Sequence, residues 1–366
     1  MTDLAKDQPH PTSPEAQCPA LPDSVLGVRL PVRWGDYEVL RLLGEGGMGR
    51  VYLATDLRLK RPVALKILRS EDPLLVERLR REAQAQAQGT HDHVCRVYEV
   101  GERDGRHFIA MQYIDGLSLK AAFKQMPLEQ KLLVIRDAAL ALHAAHGQGL
   151  IHRDVKPGNI MVEQSDKGGW KSYVVDFGLA RTETPTGLTV SGHLVGTPVY
   201  MSPEQAKGET HRLDRRSDVY SLGATIYDIL TGRAIFEGEP AVNILIKVLG
   251  EDPPAPRTID PGIPLDLENI VLRSLEKEPQ RRFESARHLA EDLDRFLAGE
   301  PVLARRSGVF YRVFKRARKH RALVATAAGA GVVAGVLAGM WWAERRLAAR
   351  QVELAQRGGQ QVERVE

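Results

Sequence analysis

Apolar and polar positions change period several times along this chain, and each change predicts an element. Tyr37, Val39, Leu40, Leu42 and Leu43 mark a strand. A glycine-rich run covers residues 44–49, after which Val51-Tyr52-Leu53-Ala54 is again extended. A turn over residues 56–62 leads into the apolar strand Val63-Ala64-Leu65-Lys66-Ile67-Leu68. Residues 74–88 have helical composition. Residues 95–100 and 107–114 alternate around Asp104-Gly105, the signature of a hairpin. A long helix is predicted over residues 128–148, with Leu132, Leu133, Ile135, Leu140, Leu142 and Ala145 among its apolar positions. Residues 152–159 then form a polar loop pinned between Leu150-Ile151 and Ile160-Met161-Val162. A polar turn over residues 163–171 precedes the short strand Tyr173-Val174-Val175.

Three polar segments between these elements carry candidate chemistry. The run Gly44-Glu45-Gly46-Gly47-Met48-Gly49-Arg50-Val51 fits G-x-G-x-x-G-x-V. Glycines there let backbone amides approach phosphate oxygens without a Cβ clash. A dinucleotide-binding unit shares the first spacing but needs a helix directly after it; an extended segment follows here. Lys66 is the one charge inside its apolar strand. A lysine so placed is either an edge residue whose stem lies along apolar surface or a phosphate ligand. Its position after the glycine-rich hairpin favours the second. The loop His152-Arg153-Asp154-Val155-Lys156-Pro157-Gly158-Asn159 sets a carboxylate, an ammonium and an amide at fixed spacing, and Asp176-Phe177-Gly178 closes the β-branched strand.

Together these segments resemble the signature set of protein kinases. Residues 37–297 are similar to a eukaryotic-like serine/threonine protein kinase of the bacterial transmembrane type. Gly196-Thr197-Pro198 with Ser202-Pro203-Glu204-Gln205, Arg216-Ser217-Asp218 and Pro279-Gln280-Arg281-Arg282-Phe283 add to the resemblance. It implies an α+β fold, a bilobal protein kinase with a β-rich N-lobe (about residues 37–112) and a helical C-lobe (about 116–298). ATP and Mg2+ would bind between the lobes. Asp154 would orient the substrate hydroxyl and accept its proton, Lys156 would neutralise the transferred phosphoryl group, and Lys66 would contact the α- and β-phosphates. Asn159 and Asp176 would hold magnesium. The implied nucleotide site comprises Leu43, Gly44, Glu45, Gly46, Gly47, Met48, Gly49, Arg50, Val51, Ala64, Lys66, Met111, Gln112, Ile114 and Met161, with Gln112-Tyr113-Ile114 as the hinge. Glu82 is the expected helix partner of Lys66. Its helix carries Gln84, Gln86 and Gln88, fewer apolar residues than a face docking on a sheet calls for. Phe177 would pack as a reporter of the active state, Asp218 would brace the catalytic loop, and Glu204 would pair with Arg282. Arg153 would receive a phosphate on the activation segment, with Thr189 and Ser191 the favoured sites, while Thr197 would position the substrate.

Composition changes this picture mainly at the two ends. Six prolines punctuate the first 31 residues without an apolar core of signal length, so residues 1–36 are expected as a disordered leader. Cys18 and Cys95 are too far apart to suggest a metal site or a disulfide framework, which makes a reducing compartment the default. Residues 305–321 hold eight Lys or Arg and no acid. The net charge of +4 is therefore local, and no nucleic-acid partner is implied. Residues 322–343 hold no charge and would rise roughly 33 Å as a helix, enough to span a bilayer. The alternative for this stretch is a buried core helix.

The expected order is thus a leader, the kinase domain over residues 37–298, a basic juxtamembrane segment over 299–321, a single transmembrane helix over 322–343, and a short tail over 344–366. The positive-inside rule places the kinase domain on the cytoplasmic side of the cell (inner) membrane. The basic segment is either a lipid-binding helix or a topology signal only. Gly331, Gly335 and Gly339 recur every four residues. That stripe suits a homodimer through the membrane helix, and the alternative is a plain anchor. A pseudokinase scaffold is the rival for the whole chain. Protein substrates with Ser or Thr are the partners implied.

Overall fold

The structure is a computed structural model that describes residues 24–25, 28–46, 49–69, 91–165, 168–177, 198–237 and 240–304, together with helical residues 77, 80, 83 and 86. Residues 305–366, with all but the first six residues of the basic segment, the span over 322–343 and the tail, lie outside the described residues. Among the described residues no helix is long and apolar enough to cross a membrane.

Eleven described strands form three sheets. A two-stranded ribbon joins β1 (Ser24–Val25) to β2 (Val28–Arg29). The main sheet contains β3 (Val32–Trp34), β4 (Tyr37–Gly46), β5 (Gly49–Asp56), β6 (Arg61–Leu68), β7 (Val97–Arg103) and β8 (Arg106–Gln112). Its order is β3-β4-β5-β6-β8-β7, with every pairing antiparallel. The third sheet pairs β10 (Ile160–Gln164) with β11 (Trp170–Val174) on one side and β9 (Leu117–Ser118) on the other.

The alternation in β4 and β5 divides the main sheet into two apolar faces, as period-2 patterning requires. One face buries Trp34, Tyr37, Val39, Tyr52, Ala54, Val63, Leu65, Ile67, Phe108 and Ala110. The other gathers Ala64, Leu68, Ala83, Cys95, Ile109, Met111, Ile114 and Tyr173.

The folded sheet starts before Tyr37. Val32, Arg33 and Trp34 pair with Val39, Glu38 and Tyr37, so the leader expected over residues 1–36 ends earlier than its composition suggests. Trp34 lies in the strand at one edge, yet its ring meets Phe108 of β8 edge-on at 5.3 Å. Its Nε1 donates to Asp104 Oδ2 at 2.8 Å in the β7–β8 turn. An edge residue that reaches the opposite strands shows how strongly the sheet curls.

The helical part contains α1 (Leu119–Ala122), α2 (Leu128–His146), α3 (Pro203–Ala206), α4 (Arg215–Thr231), α5 (Ala241–Gly250), α6 (Leu265–Ser274) and α7 (Ala286–Leu297). Helix α4 is buried almost all round, from Ser217 to Tyr227, which is why it lacks an amphipathic pattern. Asp214 caps its start by accepting from Arg216 N, and Gly232, at φ 70°, ends it in the left-handed conformation. Its neighbours α2, α6 and α7 share one apolar core with it. Backbone bonds from Cys95 N to Val174 O (3.0 Å) and from Val174 N to His93 O (2.8 Å) tie the β-rich part to β11.

Candidate functional site

The glycine-rich turn connects β4 to β5. Gly49 sits where a Cβ would fall 2.1 Å from the Ile67 carbonyl oxygen, so close backbone packing there demands glycine. At Gly44 and Gly46 a Cβ would meet no atom of the described residues within 4 Å. Glu45 is held by ion pairs to Arg50 and Arg69. Gly47 and Met48 lie outside the described residues.

Below the turn, partly buried Val51 and Met161 pack against the cluster that holds Ala64, Met111 and Ile114. Residues from both parts of the protein thus line one apolar wall. Leu43 is 38% exposed at its outer end. Gln112 closes β8, and its backbone N–H bonds to Arg96 O at 2.8 Å. Cys95 is buried in the same cluster, where burial pushes its thiol up to about 12.

Lys66 is buried on β6, and its Nζ lies 2.7 Å from Asp176 Oδ1. Burial alone would raise the Asp176 carboxyl, but the Lys66 ammonium outweighs it and holds it below the usual range. Asp176 occupies a left-handed backbone conformation, φ 60°. The next residue, Phe177, is buried and packs its ring 4.7 Å from the His152 ring.

The polar loop folds around Asp154. Lys156 Nζ donates to Asp154 Oδ2 at 2.7 Å. Asn159 Nδ2 donates to Asp154 O at 2.8 Å and to Oδ2 at 2.9 Å, which leaves the Asn159 carbonyl oxygen for another partner. His152 Nε2 donates to Val175 O at 2.9 Å, and its Nδ1 accepts from Asp154 N at 3.2 Å. Those partners fit a neutral imidazole protonated at Nε2. Arg153 sits at φ 65°.

The loop is braced from α4. Asp218 is fully buried and accepts from His152 N (2.8 Å), Arg153 N (2.8 Å) and His146 Nε2 (2.7 Å). Burial pushes its carboxyl up, and the His146 hydrogen bond and charge more than reverse that, so it stays below the usual range.

The family model for the protein kinase domain matches residues 37–293. The kinase region is 41% identical over 276 residues to serine/threonine-protein kinase PknB of Mycobacterium leprae, covering 72% of this chain and 43% of that protein. It is 38% identical over 265 residues to PrkC of Bacillus subtilis, covering 71% of this chain and 40% of that protein. The chain therefore spans less than half the length of these curated relatives. Among solved structures, the Mycobacterium tuberculosis PknI kinase domain (C20A mutant) superposes with a TM-score of 0.59 at 28% identity, covering 75% of this chain and all of that one.

The chain belongs to the protein kinase family. Within it, the kinase region is of the bacterial eukaryotic-like serine/threonine type that includes PknB and PrkC.

In this kinase the end of the activation segment is fixed to the C-lobe. Glu204 on α3 receives Arg282 Nη1 at 2.7 Å and Nη2 at 2.8 Å, and Ser217 Oγ at 2.7 Å. Arg282 uses its remaining donors on the carbonyls of Arg216, Glu276 and Lys277. Burial works against the Glu204 carboxylate, and the guanidinium keeps its pKa below the usual range all the same.

Two contributors were not singled out by spacing. His146, at the end of α2, supplies the third hydrogen bond to Asp218. Gln86 is buried and donates to Cys95 O at 2.8 Å. The glutamine-rich helix argued against inward docking, but Ala83 and Gln86 are both buried, because a main-chain carbonyl satisfies the amide. Gln86 and Phe177 line the same small cleft, with Val94, Ala145 and Leu150. Glu82, Thr189, Ser191 and Thr197 lie outside the described residues.

Proposed function

We propose that this kinase transfers the ATP γ-phosphate to Ser or Thr hydroxyls of proteins. The observation that carries the reading is the Asp154 carboxylate. The Asp154 backbone carbonyl is held by Asn159 and its N–H by His152 Nδ1, Asp218 holds the N–H of the preceding Arg153, and the carboxylate carries the Lys156 ammonium at 2.7 Å. A carboxylate so held can orient an acceptor hydroxyl and take its proton, while Lys156 offsets charge on the phosphoryl group in flight. Lys66, buried beneath the glycine-rich turn, would take the α- and β-phosphates. The space at Gly44 and Gly46 suits phosphate oxygens reaching main-chain amides.

Magnesium fits the donor set. Asp176 and Asn159 offer the hard oxygen ligands that it prefers, with nucleotide phosphates completing its shell. It would supply charge neutralisation to the phosphates.

The finer reading has the kinase anchored by residues 322–343 at the cell (inner) membrane, with its catalytic domain cytoplasmic, acting in signal transduction. Autophosphorylation at Thr189 or Ser191 would switch it through Arg153, and the Gly331, Gly335 and Gly339 stripe would pair two copies. The basic run and uncharged span in the sequence support the anchor. The test is phosphoamino-acid analysis after incubating the full chain with labelled Mg-ATP and a mixed peptide library. Phosphoserine and phosphothreonine are expected, and phosphotyrosine alone would refute the assignment. Protease protection of the tail in sealed vesicles tests the anchor.

A further inference from the structure

The run Ser202-Pro203-Glu204-Gln205 ends in a residue with no part in the account above. Gln205 lies in the first turn of α3, and its backbone and side chain close a capping box with Ser202. Ser202 N donates to Gln205 Oε1 at 3.0 Å, Ser202 Oγ donates to the same oxygen at 3.2 Å, and Gln205 N returns a bond to Ser202 Oγ at 3.4 Å. The box needs only the oxygen of the amide. The nitrogen points elsewhere: Gln205 Nε2 donates to the carbonyl oxygen of Arg153 at 2.8 Å.

Arg153 directly precedes Asp154 and has φ 65°, a left-handed conformation that a non-glycine residue keeps only when its surroundings impose it. Its N–H is held by Asp218 Oδ1 at 2.8 Å. Its carbonyl is held by Gln205. The next carbonyl, that of Asp154, is held by Asn159. The strained residue is thus clamped on both sides, once from α4 and once from the end of the activation segment.

We infer that Gln205 is a positioning residue for Asp154, coupling the seating of α3 to the aim of the catalytic carboxylate. This rests on the reading of Asp154 as the group that orients the acceptor hydroxyl. The role requires an amide, because one side-chain end must accept from Ser202 and donate to Arg153. Glutamate matches the shape and can still cap, but it has no donor, and its charge would face a carbonyl oxygen. Methionine matches the length and offers neither function.

The experiment compares Gln205→Glu and Gln205→Met with wild type in the full chain, using Mg-ATP and a serine peptide. Both variants are expected to lose about tenfold or more in kcat, with ATP dissociation constants within about twofold of wild type. Gln205→Glu should still fold cooperatively, since the capping oxygen remains, with a thermal midpoint lowered by no more than that of Gln205→Met. If that variant does not fold, Gln205→Met decides alone. A folded variant with kcat within about twofold of wild type overturns the inference. A crystal structure of Gln205→Met supplies a readout independent of activity: Arg153 should leave the left-handed region, and an unchanged Arg153 overturns the coupling. Should wild type itself transfer no phosphate, the functional reading fails, and the geometry of Arg153 still decides for or against the clamp.

Discussion

Lys66 and Asp176 meet at 2.7 Å although they stand on β6 and just beyond β11, on opposite sides of the cleft. Direct contact between the buried ammonium and the carboxylate that follows β11 joins the two halves of the proposed phosphate site. Lys66→Met is therefore expected to cut kcat/KM for phosphoryl transfer by about 100-fold or more, some 2.7 kcal/mol of barrier. Steady-state assays with Mg-ATP check this. A loss below about tenfold would remove Lys66 from the reaction.

The Glu204–Arg282 pair has side chains only 6% and 0% exposed. Removing one member leaves a buried charge without its partner, so Arg282→Ala should cost about 3–5 kcal/mol of folding stability. The double change Glu204→Gln with Arg282→Met should be less damaging than Arg282→Ala, because no charge is then stranded. Urea unfolding of the three proteins measures both effects.

Acid should unfold this kinase through its buried carboxylates. Glu204 and Asp218 both have folded pKa values held below the ordinary carboxylate range, despite burial that pushes the other way. The unfolded chain then binds more protons than the folded one in that window, so stability rises with pH there. The contribution is complete above the unfolded carboxylate pKa of about 4 and is lost as pH falls through the lower folded values. Urea midpoints between neutral pH and about pH 3 should fall steeply at the acid end. Asp218→Asn should be less stable at neutral pH and show a shallower acid slope.

Trp34 is 5% exposed and spans the curled sheet from its edge strand to the β7–β8 turn. Trp34→Ala should cost about 3–5 kcal/mol. Trp34→Phe, which keeps most of the packing but loses the bond to Asp104, should cost about 1 kcal/mol from that bond plus a smaller packing loss. Thermal melts of both variants test whether residues before Tyr37 belong to the folded domain.

Much of the candidate site's geometry was legible because its residues stand at short, fixed spacing. Asp154, Lys156 and Asn159 fall within one loop, and the loop's own geometry brings them together. The glycine turn was legible for the same reason: two period-2 strands flank it. The edge strand at Trp34 was hidden because Pro31 and the prolines before it give that stretch the composition of a leader. Its partners, Phe108 and Asp104, become neighbours only when the sheet curls. For a related reason the burial of Gln86 was not legible. A polar residue can dock inward when an unpaired carbonyl awaits it, and nothing in the local pattern reveals the Cys95 carbonyl. His146 and Gln205 likewise depend on partners from other elements, Asp218 and Arg153.

The most direct measurement is phosphoryl transfer from labelled Mg-ATP by wild type beside Asp154→Asn, on purified full chain reconstituted in bilayers. Wild type should label itself and a serine peptide. Asp154→Asn should keep its fold and its ATP affinity while transfer falls by about a thousandfold, roughly 4 kcal/mol of barrier. Transfer by Asp154→Asn within about tenfold of wild type would contradict the account.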